Sequence, residues 1–293
     1  MGLITTVVAA VFKLAVPMKI GDSVTVVEQK INGKITDISI VEKQLLINIL
    51  LLLGATLLAA IFTFLMRQTI IVVSRKVEFD LKNEIYQHYQ KLSLGFYKQN
   101  RTGDLMNRIS EDVSKVRMYI GPAIMYSTST ITLFVVVISY MFLSDLELTL
   151  YAIAPLPILS IMIYKLSIAI HKRSTVVQEY LSKLTTFAQE SFSGIGVIKA
   201  YGIRLKTNQE FGTLSQASKE KNIELTKVQA LFFPLMILLI GASNILVIYI
   251  GGSKFTNGEI HDFGSIVSFL IYVNMLTWPV AIVGWVTSMI QQA

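Results

Sequence analysis

Charged residues are missing from most of this chain, and their absence leaves long apolar runs. Four stretches contain no Asp, Glu, Lys or Arg: residues 44–66, 118–144, 228–253 and 263–293. A fifth, 148–164, continues past Lys165 to residue 170, and residues 1–18 are uncharged except for Lys13. A helix of about 20 apolar residues crosses the ~30 Å hydrocarbon core of a bilayer. The pattern therefore predicts six membrane-spanning helices.

The composition agrees with a membrane protein, since 53% of the 293 residues are hydrophobic and only 15% are charged. We expect an all-α polytopic fold with one transmembrane domain over residues 1–293. Its spans are predicted at about 2–27, 45–74, 118–143, 147–170, 228–252 and 263–290. Pro17 is expected to kink or end the first span, and a polar loop over 28–43 is expected to follow it.

Two charge-dense stretches, about 75–117 and 171–227, separate apolar runs without losing helical spacing. Apolar residues recur every three or four positions in the first, at Val77, Leu81, Ile85, Tyr89 and Leu92. The second repeats the spacing at Val177, Leu181, Leu184, Phe187 and Phe192. Such stripes predict amphipathic helices that continue beyond the membrane. Because glycines interrupt both stretches near the middle, each is predicted to be a helical hairpin with a short tip segment.

The distribution of Lys and Arg predicts the orientation of the chain. Segments 67–117 and 165–227 carry 20 of the 26 basic residues, whereas the opposite loops at 20–43, 145–147 and 254–262 carry four. A basic excess marks the cytoplasmic side of a membrane protein, so both hairpins are predicted to be cytosolic. The net charge of +7 is explained by this asymmetry, and no nucleic-acid partner is expected.

The residues for catalysis are not apparent in the sequence. It contains no G-x-x-x-x-G-K-[ST] phosphate-binding loop and no cysteine, and its histidines His88, His171 and His261 are far apart. We therefore predict no catalytic residue, no metal site and no cofactor in this chain.

Charged and polar residues inside the spans carry the remaining information, because a charge in lipid costs about 2.5–3.5 kcal/mol or more. Lys13 has two explanations: it faces a central cavity and attracts anionic substrate groups, or it extends its side chain to an interface. Arg67 and Lys165 are expected to reach the interface. Polar residues that could line a cavity, besides Lys13, are Thr128, Asn244 and Asn274.

Two charge pairs at helical spacing follow the first tip, Arg108 with Asp112 and Glu111 with Lys115. They are expected to pair along one helical face. The tips themselves have two explanations, as plain helix ends or as docking elements for a separate domain.

Several motifs in order resemble a known family. Leu94-Gly95-Phe96-Tyr97 with Arg101-Thr102-Gly103-Asp104-Leu105 is similar to the first intracellular loop of the transmembrane domain of ABC exporters. Gln189-Glu190 with Gly194-Ile195 and Val197-Ile198-Lys199-Ala200-Tyr201-Gly202 is similar to the second loop. Gly258-Glu259-Ile260, Phe263 and Pro279 resemble the turn into the sixth span and its proline. The resemblance covers nearly the whole chain.

The resemblance implies that the two tips are coupling helices seated on nucleotide-binding domains. The residues implied for the first are Leu94, Phe96, Tyr97, Arg101 and Gly103, and those for the second are Gly194, Val197, Ile198, Lys199 and Tyr201. Contacts between intracellular helices are implied for Arg108, Asp112 and Glu190. Where the family continues into a linker and an ATPase domain, this chain stops at Ala293.

By this resemblance the chain is the membrane half of an ATP-driven exporter of lipids, drugs or other amphiphiles, working by alternating access in a bacterial inner membrane. Its expected partners are nucleotide-binding domains, its own and those of the partner subunit, a second transmembrane domain and membrane lipid. ATP and Mg²⁺ belong to the nucleotide-binding domain. The alternative is a non-transporting scaffold or channel regulator with the same fold.

Overall fold

A computed structural model describes residues 1–292, with backbone only for residues 159, 278, 280, 281 and 283–292. Twelve α-helices form nearly all of the described chain: α1 Gly2–Ile31, α2 Ile38–Lys91, α3 Leu94–Gln99, α4 Thr102–Asn107, α5 Val113–Met118, α6 Ile124–Ser144, α7 Leu146–Ile153, α8 Pro155–Ser193, α9 Ile195–Ala200, α10 Arg204–Gln229, α11 Phe232–Thr256 and α12 Phe263–Gln292. Two π-helical turns, Arg108–Asp112 and Tyr119–Ala123, join α4, α5 and α6 into one continuous run.

The all-α membrane fold is confirmed. No strand occurs within residues 1–292. Five helical runs are long and apolar enough to cross a bilayer: Gly2–Ile31, Ile38–Lys91, Thr102–Ser144, Leu146–Ser193 and Arg204–Thr256. A sixth apolar helix begins at Phe263.

The first two helices differ from the expected boundaries. α1 continues through Pro17 and ends only at Ile31, so this proline does not end the helix. α2 starts at Ile38, where the Asp37 side chain accepts a hydrogen bond from Ser39 N at 2.9 Å. The loop expected over 28–43 is therefore wrong for most of its length. Hydropathy reports where lipid contact ends, and a helix can continue beyond that point.

The chain divides into two compact units. Residues 1–154 and 242–293 form the first, here named the bundle unit, in which α1 packs against α2, α6 and α12. The buried face of α1 consists mainly of small residues spaced three or four apart: Thr6, Ala9, Ala10, Leu14, Pro17 and Gly21. Small side chains let membrane helices approach closely, which explains how α1 packs against three neighbouring helices.

The closest approach in the bundle unit joins α1 to α12. A Cβ atom on Gly21 or on Gly264 would overlap the backbone carbonyl oxygen of the other glycine. The Ser268 hydroxyl donates hydrogen bonds to the carbonyl oxygens of Pro17 and Gly264, at 3.0 and 3.1 Å. Only glycine fits at this crossing.

An ion-pair cluster joins the loop between α6 and α7 to the end of α11. The Lys254 ammonium lies 2.8 Å from a carboxylate oxygen of Asp145 and 3.1 Å from one of Glu147. Asp145 also accepts a hydrogen bond from Leu148 N at 2.8 Å, at the start of α7. Partial burial acts to raise the pKa of Asp145, but Leu148 N–H and Lys254 together hold this pKa below its usual range.

Residues 155–241 form the second unit, here named the hairpin unit. In it α8 packs along α10, and the short α9 connects them. Val177 on α8 and Leu225 on α10 are buried, and the rings of Phe187 and Phe211 lie 6.1 Å apart.

Candidate docking helices and membrane cavity

The first tip is the six-residue helix α3, which is fastened to the end of α2. The Tyr97 hydroxyl donates a hydrogen bond to the carbonyl oxygen of Tyr89 at 2.5 Å, and Leu92 N donates to the same oxygen. At the other end of α3, the Asn100 side chain donates to Phe96 O at 3.0 Å. These bonds hold α3 in a fixed position at the end of the long helix, with the Leu94 side chain 75% exposed.

Below the membrane span, the extension of α2 is joined to the returning helix by one carboxylate. Glu78 lies 3.1 Å from Arg75, 2.9 Å from Lys82 and 3.3 Å from Arg117, which is on α5. The Glu78 and Arg117 side chains are only 12% and 14% exposed. Leu105 and Val113 are buried in the same segment. This packing lets the first hairpin stand beyond the span as one piece.

The second tip is α9, bracketed by glycines in the hairpin unit. Gly202 has a φ of +67°, and Ile203 N donates to Ile198 O at 3.2 Å, which is the pattern of a Schellman helix end. At the start of α9, Gly194 N donates to Glu190 O at 2.8 Å. The left-handed backbone at Gly202 turns the chain sharply from α9 into α10.

The surface of this second tip is apolar and uncovered. Val197 is 57% exposed and Tyr201 is 78% exposed, and Leu205 just beyond the tip is 79% exposed. Contiguous exposed apolar side chains of this kind mark surfaces for another protein or for a membrane.

A cavity of about 230 Å³ lies inside the bundle unit, between α1, α2, α6 and α12. Its charged residues are Lys13 from α1 and Arg67 from α2, and its hydroxyls include those of Ser129 and Thr130 from α6. No acidic residue is among the described residues that line it. The cavity therefore combines two positive charges with an otherwise apolar and hydroxyl-bearing wall.

The sequence that forms these long helices and tips matches the model of a known family. The family model described as "ABC transporter transmembrane region" matches residues 1–280. This chain belongs to that family. The motifs at the two tips and at the turn into α12 had suggested the same assignment, and it is confirmed.

Several curated relatives of this ABC transporter membrane region are similar over most of the chain. "Multidrug resistance-like ATP-binding protein MdlA" of Buchnera aphidicola is 29% identical over 268 residues, which are 90% of this chain and 46% of the relative. "Probable multidrug resistance ABC transporter ATP-binding/permease protein YheI" of Bacillus subtilis is 32% identical over 213 residues, 72% of this chain and 36% of the relative.

A relative named for a lipid substrate is also similar. "ATP-dependent lipid A-core flippase" of Syntrophus aciditrophicus is 30% identical over 223 residues, 75% of this chain and 36% of the relative. The ABC transporter membrane region described here therefore spans less than half the length of each of these relatives.

Leu94, Phe96 and Tyr97 lie on α3, and the residues expected for the second tip lie on α9 or directly beside it. Arg101 and Gly103 lie beyond α3, before and within α4, and Glu190 lies near the end of α8. Phe96 and Ile198 are partly covered, while Arg101, Gly103, Lys199 and Glu190 are exposed. The structure adds that the Tyr97 hydroxyl is bonded within the chain, which assigns it a positioning role on α3.

The expected charge pairs after the first tip are wrong. Asp112 pairs with Lys115 at 3.1 Å, and neither Arg108 with Asp112 nor Glu111 with Lys115 forms an ion pair among the described residues. The reason is the π-helical turn at 108–112, whose hydrogen bonds span five residues rather than four. Residues four apart then no longer stack on one face.

The polar span residues have different surroundings. Lys13 lines the cavity, but on α6 its lining includes Ser129 and Thr130 rather than Thr128. The Asn274 amide donates to Leu270 O at 2.8 Å on an exposed part of α12. Asn244 Oδ1 is buried without a hydrogen-bond partner among the described residues.

Three features were not found from the sequence. The expectation for Arg67 was an interfacial residue, yet it shares the cavity with Lys13. The Glu78 ion pair with Arg117 and the Asp145 pair with Lys254 join residues 39 and 109 positions apart. The sequence shows that these residues are charged, but it does not show which residue each of them contacts.

Proposed function

We propose that this chain is the membrane-spanning half of an ATP-driven exporter that moves amphiphilic compounds by alternating access. The observation that carries the proposal is the pair of tip helices, α3 and α9. Each is six residues long, each ends a long helical hairpin outside the apolar spans, and each presents exposed apolar side chains. A membrane anchor has no need for such tips.

The proposed partner of the tips is a nucleotide-binding domain. α9 offers the exposed Val197 and Tyr201 side chains on a short helix fixed at both ends, and an apolar patch held in one conformation suits the groove of a folded domain. The relatives whose names include ATP-binding and permease functions support this choice. ATP and Mg²⁺ would bind in that domain, and a second membrane domain would complete the transport path.

The proposed orientation follows the charges. The hairpins carry most of the Lys and Arg residues, so they face the cytosol of a bacterial cell, with the membrane domain in the inner membrane. ATP-driven movement of the docked domains would then be transmitted through α8, α10 and the extension of α2, which are long enough to act as levers.

The proposed cargo is amphiphilic, comprising lipids or drugs. Support comes from the multidrug and lipid A-core flippase names of the relatives, and from a cavity with apolar walls and a charged end.

The test places a charge on the tip of the full-length protein in liposomes. Val197→Asp should leave the protein in the membrane but abolish drug-stimulated ATP hydrolysis and transport, because a carboxylate in an apolar interface is costly to desolvate. The control is Ile31→Asp, which alters another exposed apolar side chain, at the C-terminal end of α1. Normal stimulation and transport in the Val197→Asp variant would refute the docking function. A wild-type protein whose ATP hydrolysis never responds to amphiphiles would instead favour the scaffold or channel-regulator function.

A further inference from the structure

We infer that the cavity of the bundle unit selects amphiphiles with an anionic head group, which Lys13 and Arg67 bind together. This inference rests on the proposed export function and names its substrate class.

Helix geometry makes these two side chains converge. The rings of Phe12 on α1 and Phe62 on α2 are stacked with centroids 5.8 Å apart, so Lys13 lies almost level with Phe62. Arg67 is five residues further along α2, a distance of about 7.5 Å along the helix. Side chains in a helix tilt toward its N-terminus. Because α1 and α2 are antiparallel neighbours, Lys13 tilts toward the level of Arg67, and Arg67 tilts toward the level of Lys13.

Neither cation has a counter-charge. No carboxylate lies within 4.0 Å of Lys13 or Arg67 among the described residues. The residues without described side chains include no Asp or Glu. Two like charges in a low-dielectric region repel each other, and a bound anion would remove that repulsion while accepting hydrogen bonds from both.

The interfacial explanation of Lys13 fits the structure poorly. Gly2, at the beginning of α1, lies against Ile70 of α2, still within the apolar span. Lys13 is eleven residues above Gly2, or about 16 Å along the helix. A four-carbon stem is far shorter than this, so the ammonium group stays at the depth of the cavity.

The remaining wall suits the rest of an amphiphile. Among the described side chains, the Ser129 hydroxyl donates to the sulfur of Met66, a weak acceptor, at 3.4 Å, so it can turn to an oxyanion. Met125, Leu133 and Met275 supply an apolar surface, and methionine side chains adapt to chains of different shape.

The test measures binding to the full-length protein in nanodiscs of zwitterionic lipid. The probes share one alkyl chain and differ in the head group: dodecyl phosphate, dodecyltrimethylammonium and dodecanol, with inorganic phosphate as the anion alone. Wild-type protein should bind dodecyl phosphate at least tenfold more tightly than dodecyltrimethylammonium. Lys13→Gln and Arg67→Gln should each weaken dodecyl phosphate binding by about tenfold or more, because each variant loses a hydrogen bond to a charged group. Dodecanol binding should not change, because dodecanol carries no charge.

Further variants keep the result independent of folding defects. Lys13→Glu should move the preference toward dodecyltrimethylammonium, and Lys13→Arg should retain dodecyl phosphate binding. Lys43→Gln removes a charge at the far end of α2 and should change nothing. Wild-type affinity in Lys13→Gln and Arg67→Gln would overturn the inference, and so would inorganic phosphate binding as tightly as dodecyl phosphate.

The two proposals fail separately. Loss of the anion preference with intact dodecanol-stimulated ATP hydrolysis would overturn this inference and leave the exporter standing. Anion binding that depends on Lys13 without any stimulated hydrolysis would overturn the exporter.

Discussion

The bundle unit and the hairpin unit differ in how deeply their interior apolar side chains are buried. In the bundle unit Val137, Met141, Leu148 and Tyr272 are fully buried. In the described part of the hairpin unit Met236 is buried but keeps 6% exposure, and Phe192, Leu205 and Phe233 are 74%, 79% and 70% exposed.

Fully buried side chains show where the helices of this chain pack closely on one another. Membrane helices are held together by close packing rather than by removal from water, and the bundle unit contains such packing. Both units also expose apolar side chains, such as Leu143 in the bundle unit and Leu205 in the hairpin unit, which lipid or another protein domain would cover. The bundle unit is thus the part in which we expect an added methyl group to meet closely packed neighbours.

The largest effect is expected from one substitution made in each unit. Gly264→Ala in the bundle unit adds a methyl group against the Gly21 backbone and should cost about 1–3 kcal/mol, because neither backbone can yield cheaply. Gly212→Ala in α10 meets no atom within 4 Å and should stabilise by up to about 1 kcal/mol through helix propensity. Thermal unfolding in nanodiscs measures both.

If both variants changed the thermal stability by the same amount in the same direction, the two units would not differ in how closely they are packed at these positions. Destabilisation by Gly212→Ala would mean that other atoms do pack against position 212 of α10.

A smaller effect is expected from Asp145→Asn, which keeps the bond to Leu148 N and loses the pairing with Lys254. The cost should be about 1 kcal/mol at pH 7. Because the pKa of Asp145 is lowered by folding, its contribution is present above the unfolded pKa of about 3.9 and is lost as the pH falls below that value.

Melting temperatures at pH 7 and pH 3 test this prediction. The gap between wild type and Asp145→Asn should narrow at pH 3, and Glu42→Gln, which alters an exposed carboxylate on α2 without an ion pair among the described residues, should match wild type at both. A gap that is constant or wider at pH 3 contradicts the assigned role of the carboxylate.

The smallest effect is expected where the units are compared by their ion pairs. Glu78→Gln removes a pairing with three cations in the bundle unit and should cost about 0.5 to 1 kcal/mol. Glu224→Gln removes an exposed pair with Lys221 in the hairpin unit and should leave the melting temperature unchanged. A larger destabilisation by Glu224→Gln than by Glu78→Gln would show that the extension of α2 is held by other contacts.

The sequence predicted the fold class because the energy of a charge in lipid is large and local. Runs such as 44–66 therefore identify spans without knowledge of their neighbours. The end of the second tip was visible because Gly202 takes a backbone conformation that few other residues adopt.

Other features depend on information that no local pattern contains. The π-helical turn at 108–112 changes the period within a helix, so the expected charge pairs failed. Lys13 and Arg67 converge because of how α1 and α2 are aligned along each other, and the sequence around either residue does not reveal that alignment. Helix ends beyond the lipid, as at Ile31, are also invisible to hydropathy.

The most direct test of the central claim, that α9 docks a cytosolic ATPase domain, is thiol labelling of a cysteine at position 197. The 293-residue chain has no cysteine of its own, so this thiol is unique in the domain. With a membrane-impermeant maleimide, we predict fast labelling in inside-out vesicles that carry the membrane domain alone, and strong protection when the matching ATPase domain is added. Labelling from the outside of intact cells, or a rate that the ATPase domain does not change, would contradict the account.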